Sequence, residues 1–475
     1  MSKKNKNASE IKFGTDGWRA VIGEAFTFEN LKYVSQATAD FLNSTKSRGS
    51  KFKIVVGYDT RFLSEKFAEI AACVFAANGI KVILSDRATP TPTISFCVKN
   101  RKLDLGIMIT ASHNPPEFNG FKIKSSSGGS ADASMTKAVE KLLFKKESKF
   151  IDLNEGLKKK VILKENIVSE YIRFLRSYLD LSKLRNCKFR VLLDCMYGSG
   201  NGFMNEVISD TGIDLEIMRN ERNTYFEGKG PEPVQKNLSK IIERMRTEDF
   251  DLGLVLDGDA DRIAAVAPGG EFIHPQKILG LLALHLKEGR GFSGGMVKTI
   301  AGTTMMDHIA DYLGIKLYET PVGFKYISKL MEEEEILVGG EEAGGMGFKN
   351  YIPERDGTLA GLLLAEMMAY RNKSMGKIVQ ETESKFGKYF YLRADLRLKS
   401  GQKMKDIKTI RPKKLLNTPV TKINDIDGVK LSCQDESWLM LRPSGTEPLM
   451  RIYAEAKTLE KSSQLLELGK TLVLK

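Results

Sequence analysis

Four short loops carry most of the residues that could do chemistry, and each directly follows an apolar, strand-like run. They are residues 110–115, 257–262, 340–345 and 442–448. The first carries a serine, the second three aspartates, the third paired glutamates and the fourth a basic, hydroxyl-rich turn. In α/β sheets ligands bind outside the carboxyl ends of strands, so chemistry is expected in such loops. Together the four loops indicate an enzyme that handles phosphate groups.

Ser112 in the first loop and the aspartates in the second are chemically matched. A serine that carries a phosphoryl group gains about two negative charges and three acceptor oxygens, and so becomes a good ligand for a hard cation. The aspartates alternate along the chain as Asp257, Asp259 and Asp261. They can share one ion only if the segment curls, which we expect Gly258 to permit. Oxygen ligands without histidine favour Mg²⁺ over zinc; a solvated acidic loop is the alternative.

The fourth loop predicts a phosphate cradle. It places Arg442, Ser444 and Thr446 around Gly445, and Arg451 follows a few residues later. Backbone amides of a glycine turn, hydroxyl groups and a guanidinium are all good donors to phosphate oxygens. Ordinary turn composition would give the same pattern without a ligand.

The third loop holds adjacent carboxylates, Glu341 and Glu342, and nothing nearby in the sequence obviously pairs them. Such carboxylates suit recognition of sugar hydroxyls, although a solvated turn fits the pattern nearly as well. Three basic residues follow glycine turns elsewhere, where surface positions are the usual expectation: Arg19, Lys122 and Lys325.

Length and composition limit the function classes. The chain has 475 residues, enough for roughly three or four domains. Its net charge is +13, but the lysines are scattered and form no concentrated stripe, so we expect a surface that attracts anionic small molecules rather than nucleic acid. The five cysteines are widely spaced, which predicts free thiols in a reducing, cytoplasmic compartment. No apolar run approaches the roughly 20 residues needed to cross a membrane.

Hydrophobic patterning predicts alternating strands and helices. A strand at residues 53–59, a helix at 67–78 closed by Gly79, and the LGIMI strand behind the serine loop are typical of a parallel or mixed sheet. A lysine-rich, weakly patterned stretch near residues 144–166 indicates the first boundary. The fold class expected is three similar α/β domains with mixed sheets plus a smaller C-terminal α+β domain, with bounds at residues 1–165, 166–272, 273–384 and 385–475.

The set of motifs resembles the α-D-phosphohexomutases, a family that includes phosphoglucomutases and phosphomannomutases. FGTDGWR, TASHNP, DGDADR, GEEAGG and RPSGTEP all occur in the family's order, and together they span essentially the full length. The resemblance implies four domains around a central cleft, each contributing one loop.

The resemblance also implies roles for individual residues. Ser112 would be the phosphoserine and would bind Mg²⁺ together with Asp257, Asp259 and Asp261. The residues lining the reacting centre would be Arg19, His113, Lys122 and Arg262. The sugar hydroxyls would be bound by Glu341, in the loop 340–345 that also carries Ala343, and Lys325 is a further candidate for binding the substrate. The non-reacting phosphate would be held by Arg442, Ser444, Gly445, Thr446 and Arg451.

The implied reaction is phosphoryl transfer in two halves. Phosphorylated Ser112 gives its group to the free hydroxyl of a hexose phosphate, and the resulting bisphosphate returns its other phosphate to the serine. Glucose phosphate is the first expectation and mannose phosphate the second, with hexose 1,6-bisphosphate as activator. The general base stays open among His113, Lys122 and Lys325. No nucleic-acid or membrane partner is expected, and the chain would be a monomer or homodimer.

One position departs from the family pattern. The sugar loop usually reads Gly-Glu-x-Ser-Gly, and here the serine position is Ala343. The missing hydroxyl removes a hydrogen bond of about 0.5–1.5 kcal/mol, which would retune sugar recognition without abolishing the chemistry. Two alternatives follow from the motifs: a non-catalytic sugar-phosphate sensor on the same fold, and a haloacid-dehalogenase-type enzyme with Asp257 as nucleophile.

Overall fold

The computed structural model describes residues 11–45, 51–397, 405–443 and 449–474. The chain divides into two compact units. The first comprises Met1–Ile278 and Gly344–Gly376, and the second Leu279–Ala343 and Lys377–Lys475. No helix in the described ranges combines the length and apolar character that crossing a membrane requires.

The first sheet carries the serine loop. Its strands are β1 (Trp18–Val21), β2 (Lys53–Tyr58), β3 (Lys81–Ser85), β4 (Leu105–Ile109), β5 (Phe118–Lys124) and β6 (Ile162–Glu165). They lie in the order β1-β5-β4-β2-β3-β6, with β4, β2, β3 and β6 parallel and β5 and β1 antiparallel to their neighbours. The accompanying helices are α1 (Phe28–Ser44), α2 (Ser64–Ala77), α3 (Thr91–Asn100), α4 (Ala133–Leu142) and α5 (Leu153–Lys158).

Local sequence explains most of these elements. β4 is apolar at almost every position and fully buried, as expected of a parallel strand covered on both faces. Gly79 closes α2 with a φ of 78°, the left-handed conformation predicted for it. The stretch 144–166 is more ordered than its pattern suggested, because it contains α5 and β6. Its strand pairs with β3, but four residues are too few to give a clear alternation.

The second sheet carries the aspartate loop. Its strands are β7 (Phe189–Asp194), β8 (Ile213–Met218), β9 (Leu252–Leu256), β10 (Ile263–Ala267) and β11 (Glu271–Ile273), in the order β11-β10-β9-β7-β8. β8, β7 and β9 are parallel, whereas β10 is antiparallel to β9 and β11. The helices of this part are α6 (Val168–Tyr178), α7 (Leu181–Arg185), α8 (Phe203–Ile208) and α9 (Ser239–Thr247).

The glutamate loop follows a third group of strands, in the second unit. β12 (Gly295–Thr299) lies between β13 (Leu317–Thr320) and β14 (Ile336–Gly340), and both pairings are parallel. The helices here are α10 (Pro275–Leu284), α11 (Met305–Leu313) and α12 (Phe324–Glu333). The chain then returns to the first unit with β15 (Met346–Phe348) and α13 (Gly357–Arg371).

The C-terminal part is an antiparallel α+β structure, as predicted. Its elements are α14 (Met375–Phe386), β16 (Phe390–Arg397), β17 (Lys414–Leu415), β18 (Thr418–Asn424), β19 (Val429–Cys433), β20 (Trp438–Pro443), β21 (Leu449–Ala456) and α15 (Leu459–Val473). The strand order is β16-β21-β20-β19-β18-β17, with antiparallel neighbours throughout. The predicted fold class is therefore confirmed, while the four domain boundaries stay a prediction.

Candidate active site

Ser112 lies in the turn that follows β4 and is buried, with 1% of its surface exposed. Its φ of 51° is left-handed, which is uncommon for a residue other than glycine. The Ser112 amide donates to Thr110 Oγ1 at 2.8 Å, and its hydroxyl donates to Asp257 Oδ2 at 2.8 Å. Ser112 Oγ also lies 3.2 Å from His113 Nδ1. The structure therefore brings the serine loop and the aspartate loop together.

The three aspartates converge as expected, because the segment after β9 is a tight turn. The side chains of Asp257, Asp259 and Asp261 are buried, and one ligand atom from each lies within 4.8 Å of the others. The Ala260 amide donates to the Asp257 carbonyl at 3.1 Å, and Ala260 takes the left-handed conformation with a φ of 56°. We expected Gly258 to permit the curl, but the left-handed residue of this turn is Ala260.

Gly258 instead allows the two loops to touch. A Cβ at Gly258 would lie 2.5 Å from the Ser112 carbonyl oxygen and 2.8 Å from Pro231 Cγ. Contacts of that length are not tolerated, so any side chain would push the serine loop away. The glycine is required by close approach rather than by its backbone conformation.

The carboxylates suit a divalent cation. Among the described residues, Oδ1 of Asp259 and Oδ1 of Asp261 are buried without a hydrogen-bond donor. Buried carboxylate oxygens are expensive when unsatisfied, and a cation at the triad would supply the missing contact. Burial, followed by the neighbouring charges of Asp259 and Asp261, raises the pKa of Asp257 well above its usual value. All-oxygen ligation is the chemistry that Mg²⁺ prefers, so these residues fit that ion.

Lys122 is a buried residue of β5 rather than the surface residue expected after a glycine turn. Its Nζ lies 2.8 Å from Asp16 Oδ2, 2.8 Å from Asp259 Oδ2 and 3.1 Å from Asp261 Oδ2. Burial lowers the pKa of this ammonium, but the three carboxylates together outweigh burial and raise it. Lys122 is therefore a fixed positive charge beside the triad.

The sequence analysis did not identify Asp16, Arg355 or Lys124, which all belong to this ion network. Arg355 follows β15, and its Nη2 lies 2.5 Å from Asp16 Oδ2 and 2.7 Å from Asp261 Oδ2. Burial raises the pKa of Asp16, but Lys122, Lys124 and Arg355 together hold it well below the usual value. Asp16 belongs to the FGTDGWR motif, so the sequence could have identified it as a site residue. Arg355 belongs to none of the motifs that the sequence analysis recognised.

His113 and two arginines complete the surroundings of Ser112. Arg19, on β1, donates from Nη1 to Asn114 Oδ1 at 2.7 Å, and Arg262 Nε lies 3.9 Å from Asp261 Oδ1. Burial, then the charges of Arg262 and Arg19, lower the pKa of His113 well below its usual value. Burial and the neighbouring cations therefore hold the imidazole in its neutral form.

In the second unit the paired glutamates follow β14 directly. Thr299 Oγ1, which is 43 residues away in the chain, donates to Glu342 Oε2 at 2.8 Å, a contact that the neighbouring sequence could not indicate. Glu341 is also buried, whereas Ala343 is half-buried. Lys325 lies in the first turn of α12, half-buried, with its Nζ 5.1 Å from the Tyr326 ring centroid.

The basic residues of the fourth loop lie on adjacent strands. Arg442 on β20 is paired in register with Arg451 on β21. Arg442 Nε donates to Asp427 Oδ2 at 2.7 Å, and the same oxygen accepts the Val322 amide at 2.9 Å. Asp427, which was missed in the sequence, therefore orients Arg442. The remaining predicted cradle residues lie outside the described residues: Ser444, Gly445 and Thr446.

A buried serine beside a triad of carboxylates that fits a divalent cation, with fixed positive charges around it, is the arrangement expected of a phosphoryl-transfer enzyme. Models of the phosphoglucomutase/phosphomannomutase family match the chain as alpha/beta/alpha domain I at residues 10–150, domain II at 169–270, domain III at 274–386 and the C-terminal domain at 395–467. The chain belongs to this family and is an enzyme of the phosphohexomutase class.

Individual relatives cover nearly the whole chain. The phosphoglucomutase/phosphomannomutase of Thermococcus kodakarensis is 30% identical over 461 residues, which are 96% of this chain and 97% of the relative. The phosphoglucosamine mutase of Methanocaldococcus jannaschii is 29% identical, covering 89% of this chain and 91% of its own. A crystal structure of a Thermus thermophilus protein described as a phosphomannomutase is 33% identical, with a TM-score of 0.86 and coverage of 98% and 99%. These matches do not favour the sensor or the haloacid-dehalogenase alternative.

Replacing Gly258 with alanine is expected to lower kcat by roughly 10- to 100-fold, because the added Cβ displaces the serine loop from the triad. Steady-state mutase assays measure the effect. The matched control is Gly376→Ala, where the new Cβ would meet its nearest atoms only at 3.7 and 3.8 Å. Wild-type kcat in Gly258→Ala would show that the close approach is not needed for catalysis.

Proposed function

We propose that this enzyme interconverts hexose 1-phosphates and hexose 6-phosphates through a phosphoserine at Ser112 and a hexose 1,6-bisphosphate intermediate. Glucose phosphates are the first choice of substrate and mannose phosphates the second. The observation that carries the proposal is the 2.8 Å contact between the Ser112 hydroxyl and Asp257 within a buried triad. The names of the relatives support the hexose phosphate class, because both name a hexose or hexosamine phosphate mutase.

In the first half-reaction the free hydroxyl of the substrate attacks the phosphorus carried on Ser112. The new O–P bond forms as the bond from phosphorus to Ser112 Oγ breaks, and the hydroxyl proton passes to a base. Of the three candidates, His113 lies 3.2 Å from Ser112 Oγ, so it is assigned to the proton of the serine hydroxyl when Ser112 takes a phosphoryl group back in the second half-reaction. Lys122 is held charged by three carboxylates and is a poor base. The second half-reaction reverses these steps with the other phosphate of the bisphosphate.

Groups of the first unit would neutralise the negative charge on the phosphoryl group as it is transferred. Asp257, Asp259 and Asp261 would hold Mg²⁺, which supplies electrostatic stabilisation of the phosphoryl oxygens when it is bound. Lys122 pairs with Asp259 and Arg355 pairs with Asp261, so these two cations fix the carboxylates of the triad. The remaining arginines of the serine region, Arg19 and Arg262, are assigned to the phosphoryl oxygens.

Recognition of the rest of the substrate is assigned to the second unit. Glu341 would bind sugar hydroxyls, with Ala343 beside it and Lys325 as an additional cation. The phosphate that does not react would be held by Arg442, Ser444, Gly445, Thr446 and Arg451. Hexose 1,6-bisphosphate would serve as activator, because it can restore the phosphoryl group to any Ser112 that has lost it.

The proposal is tested by ³¹P NMR of the purified enzyme with Mg²⁺ and a trace of glucose 1,6-bisphosphate. The panel consists of the 1-phosphates of glucose, mannose, glucosamine and N-acetylglucosamine. We expect the 1-phosphate signal to convert to the 6-phosphate signal, fastest for glucose. No conversion of any hexose 1-phosphate, with Ser112 shown to be phosphorylated, would overturn the proposal.

Replacing Ala343 with serine is expected to change sugar preference rather than overall activity. A restored hydroxyl can contribute about 0.5–1.5 kcal/mol, which corresponds to a two- to tenfold change in the ratio of kcat/KM for glucose and mannose 1-phosphates. Competition assays with both sugars measure that ratio directly. Ala25→Ser, at a half-buried turn of the first unit, is the control. An unchanged ratio in Ala343→Ser would show that the residue at position 343 does not determine which sugar is preferred.

A further inference from the structure

A fully buried arginine lies against the serine loop, and no step of the proposed reaction uses it. Arg61 follows β2, and none of its surface is exposed. Its Nη2 donates to the carbonyls of Ser112 and Asn114, both at 2.6 Å. Its Nη1 donates to the carbonyls of Pro115 at 2.8 Å and Phe118 at 3.0 Å. One guanidinium thus holds four backbone oxygens of the loop that carries the serine.

Asp59, two residues before Arg61, contacts the serine loop on the N-terminal side of Ser112. Asp59 Oδ2 accepts Thr110 Oγ1 at 2.6 Å, and that same threonine oxygen accepts the Ser112 amide at 2.8 Å. Asp59 is in turn paired with Arg61, whose Nε lies 3.3 Å from Oδ2, and its Oδ1 accepts Ser64 Oγ at 2.6 Å. The Ser112 amide is therefore fixed through Asp59 and the Ser112 carbonyl through Arg61.

This double attachment explains how Ser112 keeps its conformation. A left-handed φ at a non-glycine residue is energetically unfavourable, and it persists only where the surroundings over-determine it. Here both backbone groups of Ser112 are held, one on each side of the strained residue. The same conformation places Oγ 2.8 Å from Asp257, so the strain is tied to the orientation of the reactive oxygen.

The choice of arginine is also informative. A buried ion pair is often no more stabilising than apolar residues of similar volume, so stability alone does not account for Asp59 and Arg61. The planar guanidinium presents its donors in a rigid fork, so it can donate to four carbonyls at once while its charge lies beside the Asp59 carboxylate. An ammonium has only three donors, so lysine could not make the same set of contacts.

We propose that Arg61 and Asp59 are positioning residues for phosphoryl transfer, which hold Ser112 in the left-handed conformation that directs Oγ at the aspartate triad. The inference rests on the proposed role of Ser112 as the phosphoryl carrier. Neither residue touches the reacting atoms, so each acts through the backbone of the serine loop.

The test compares Arg61→Lys with Arg101→Lys. Arg101 makes ion pairs with Glu165 at 2.6 Å and Glu170 at 2.9 Å in the same unit, and it belongs to no part of the site. Each enzyme is labelled on Ser112 with ³²P from glucose 1,6-bisphosphate, and transfer to glucose 1-phosphate is followed in a single turnover. We expect a roughly 100-fold slower transfer in Arg61→Lys, with the concentration of sugar giving half-maximal rate changed less than about threefold. Arg101→Lys should transfer at the wild-type rate.

Hydrogen–deuterium exchange of the segment 110–118 gives a readout that does not depend on activity. Faster exchange confined to this segment is expected in Arg61→Lys, and Arg101→Lys should match the wild type. A wild-type protein that takes no label on Ser112 would contradict the proposed function, and exchange alone would then decide the inference about Arg61. Unchanged exchange, or transfer at the wild-type rate, would overturn it.

A folding defect is separated from a positioning defect by Asp59→Asn. This variant keeps the shape of the side chain and leaves Arg61 in place, but weakens the attachment of the Ser112 amide through Thr110. It should show the same two effects with a smaller rate loss, of roughly tenfold. If Arg61→Lys does not fold, Asp59→Asn decides the inference alone, and wild-type values for both measurements would overturn it.

Discussion

Replacing Ser112 with alanine is expected to abolish turnover, with kcat at least about 1,000-fold below the wild-type value. The loss follows from the proposed covalent route, because without Oγ no phosphoryl group can be stored on the enzyme between the two half-reactions. Ser112 is the one serine of residues 110–115 and its hydroxyl donates to Asp257, whereas the other hydroxyl of that loop, Thr110 Oγ1, donates to Asp59 and is not a replacement. Steady-state assays with glucose 1-phosphate and a bisphosphate primer measure the loss.

The control for Ser112→Ala is Ser134→Ala, because Ser134 is an exposed residue of α4 whose hydroxyl donates only to Asp132. It should keep wild-type kcat. Incubation with ³²P-labelled glucose 1,6-bisphosphate should label the wild type and Ser134→Ala but not Ser112→Ala. Retention of label in Ser112→Ala would show that another residue carries the phosphoryl group. Retention of activity in the same variant would contradict the phosphoserine mechanism.

The strands that precede the chemical loops were the most predictable part of the fold. LGIMI and LGLVL are short apolar runs, and they became β4 and β9 because strands covered on both faces need no polar alternation. A loop behind such a strand is automatically placed at a carboxyl end. That is why the positions of Ser112 and the three aspartates could be predicted before any contact was known.

Contacts between distant parts of the chain were not predictable in the same way. Arg355 meets Asp16 and Asp261, yet its neighbours in the sequence give no periodic or motif signal. Lys122 follows Asn-Gly-Phe, which resembles a surface turn, but the pairing of β5 with β4 makes it a buried strand residue. Local pattern determines the elements, whereas these ion pairs depend on how the elements pack.

The glycine of the aspartate loop shows the limit of local conformational rules. Gly258 is the residue that tolerates a left-handed φ most easily, so the sequence favoured it for the curl. The turn places Ala260 there instead, at a φ of 56°. Gly258 is needed because the Ser112 carbonyl lies where its side chain would be, and only the meeting of two loops distant in sequence creates that requirement.

Neutralising Asp259 should have the second-largest effect, a fall in kcat of at least about 100-fold at saturating Mg²⁺. Asp259 Oδ2 accepts Lys122 Nζ at 2.8 Å and Thr91 Oγ1 at 2.5 Å, and its Oδ1 has no donor among the described residues. In Asp259→Asn the amide oxygen can keep the contacts with Lys122 and Thr91. The amide nitrogen then points its two N–H groups at the position expected for the cation, which removes a ligand and a negative charge together.

The control for Asp259→Asn is an aspartate at the other end of β9. Asp251 lies just before β9 and accepts the Arg190 amide at 2.9 Å, so Asp251→Asn changes the same side-chain type remote from the triad. Mg²⁺ should raise the melting temperature of the wild type and of Asp251→Asn, because an ion that binds only the folded state stabilises it. In Asp259→Asn the same Mg²⁺ concentration should produce little increase. If Mg²⁺ raised the melting temperature of Asp259→Asn as much as that of the wild type, and kcat were unchanged, Asp259 would not be a metal ligand.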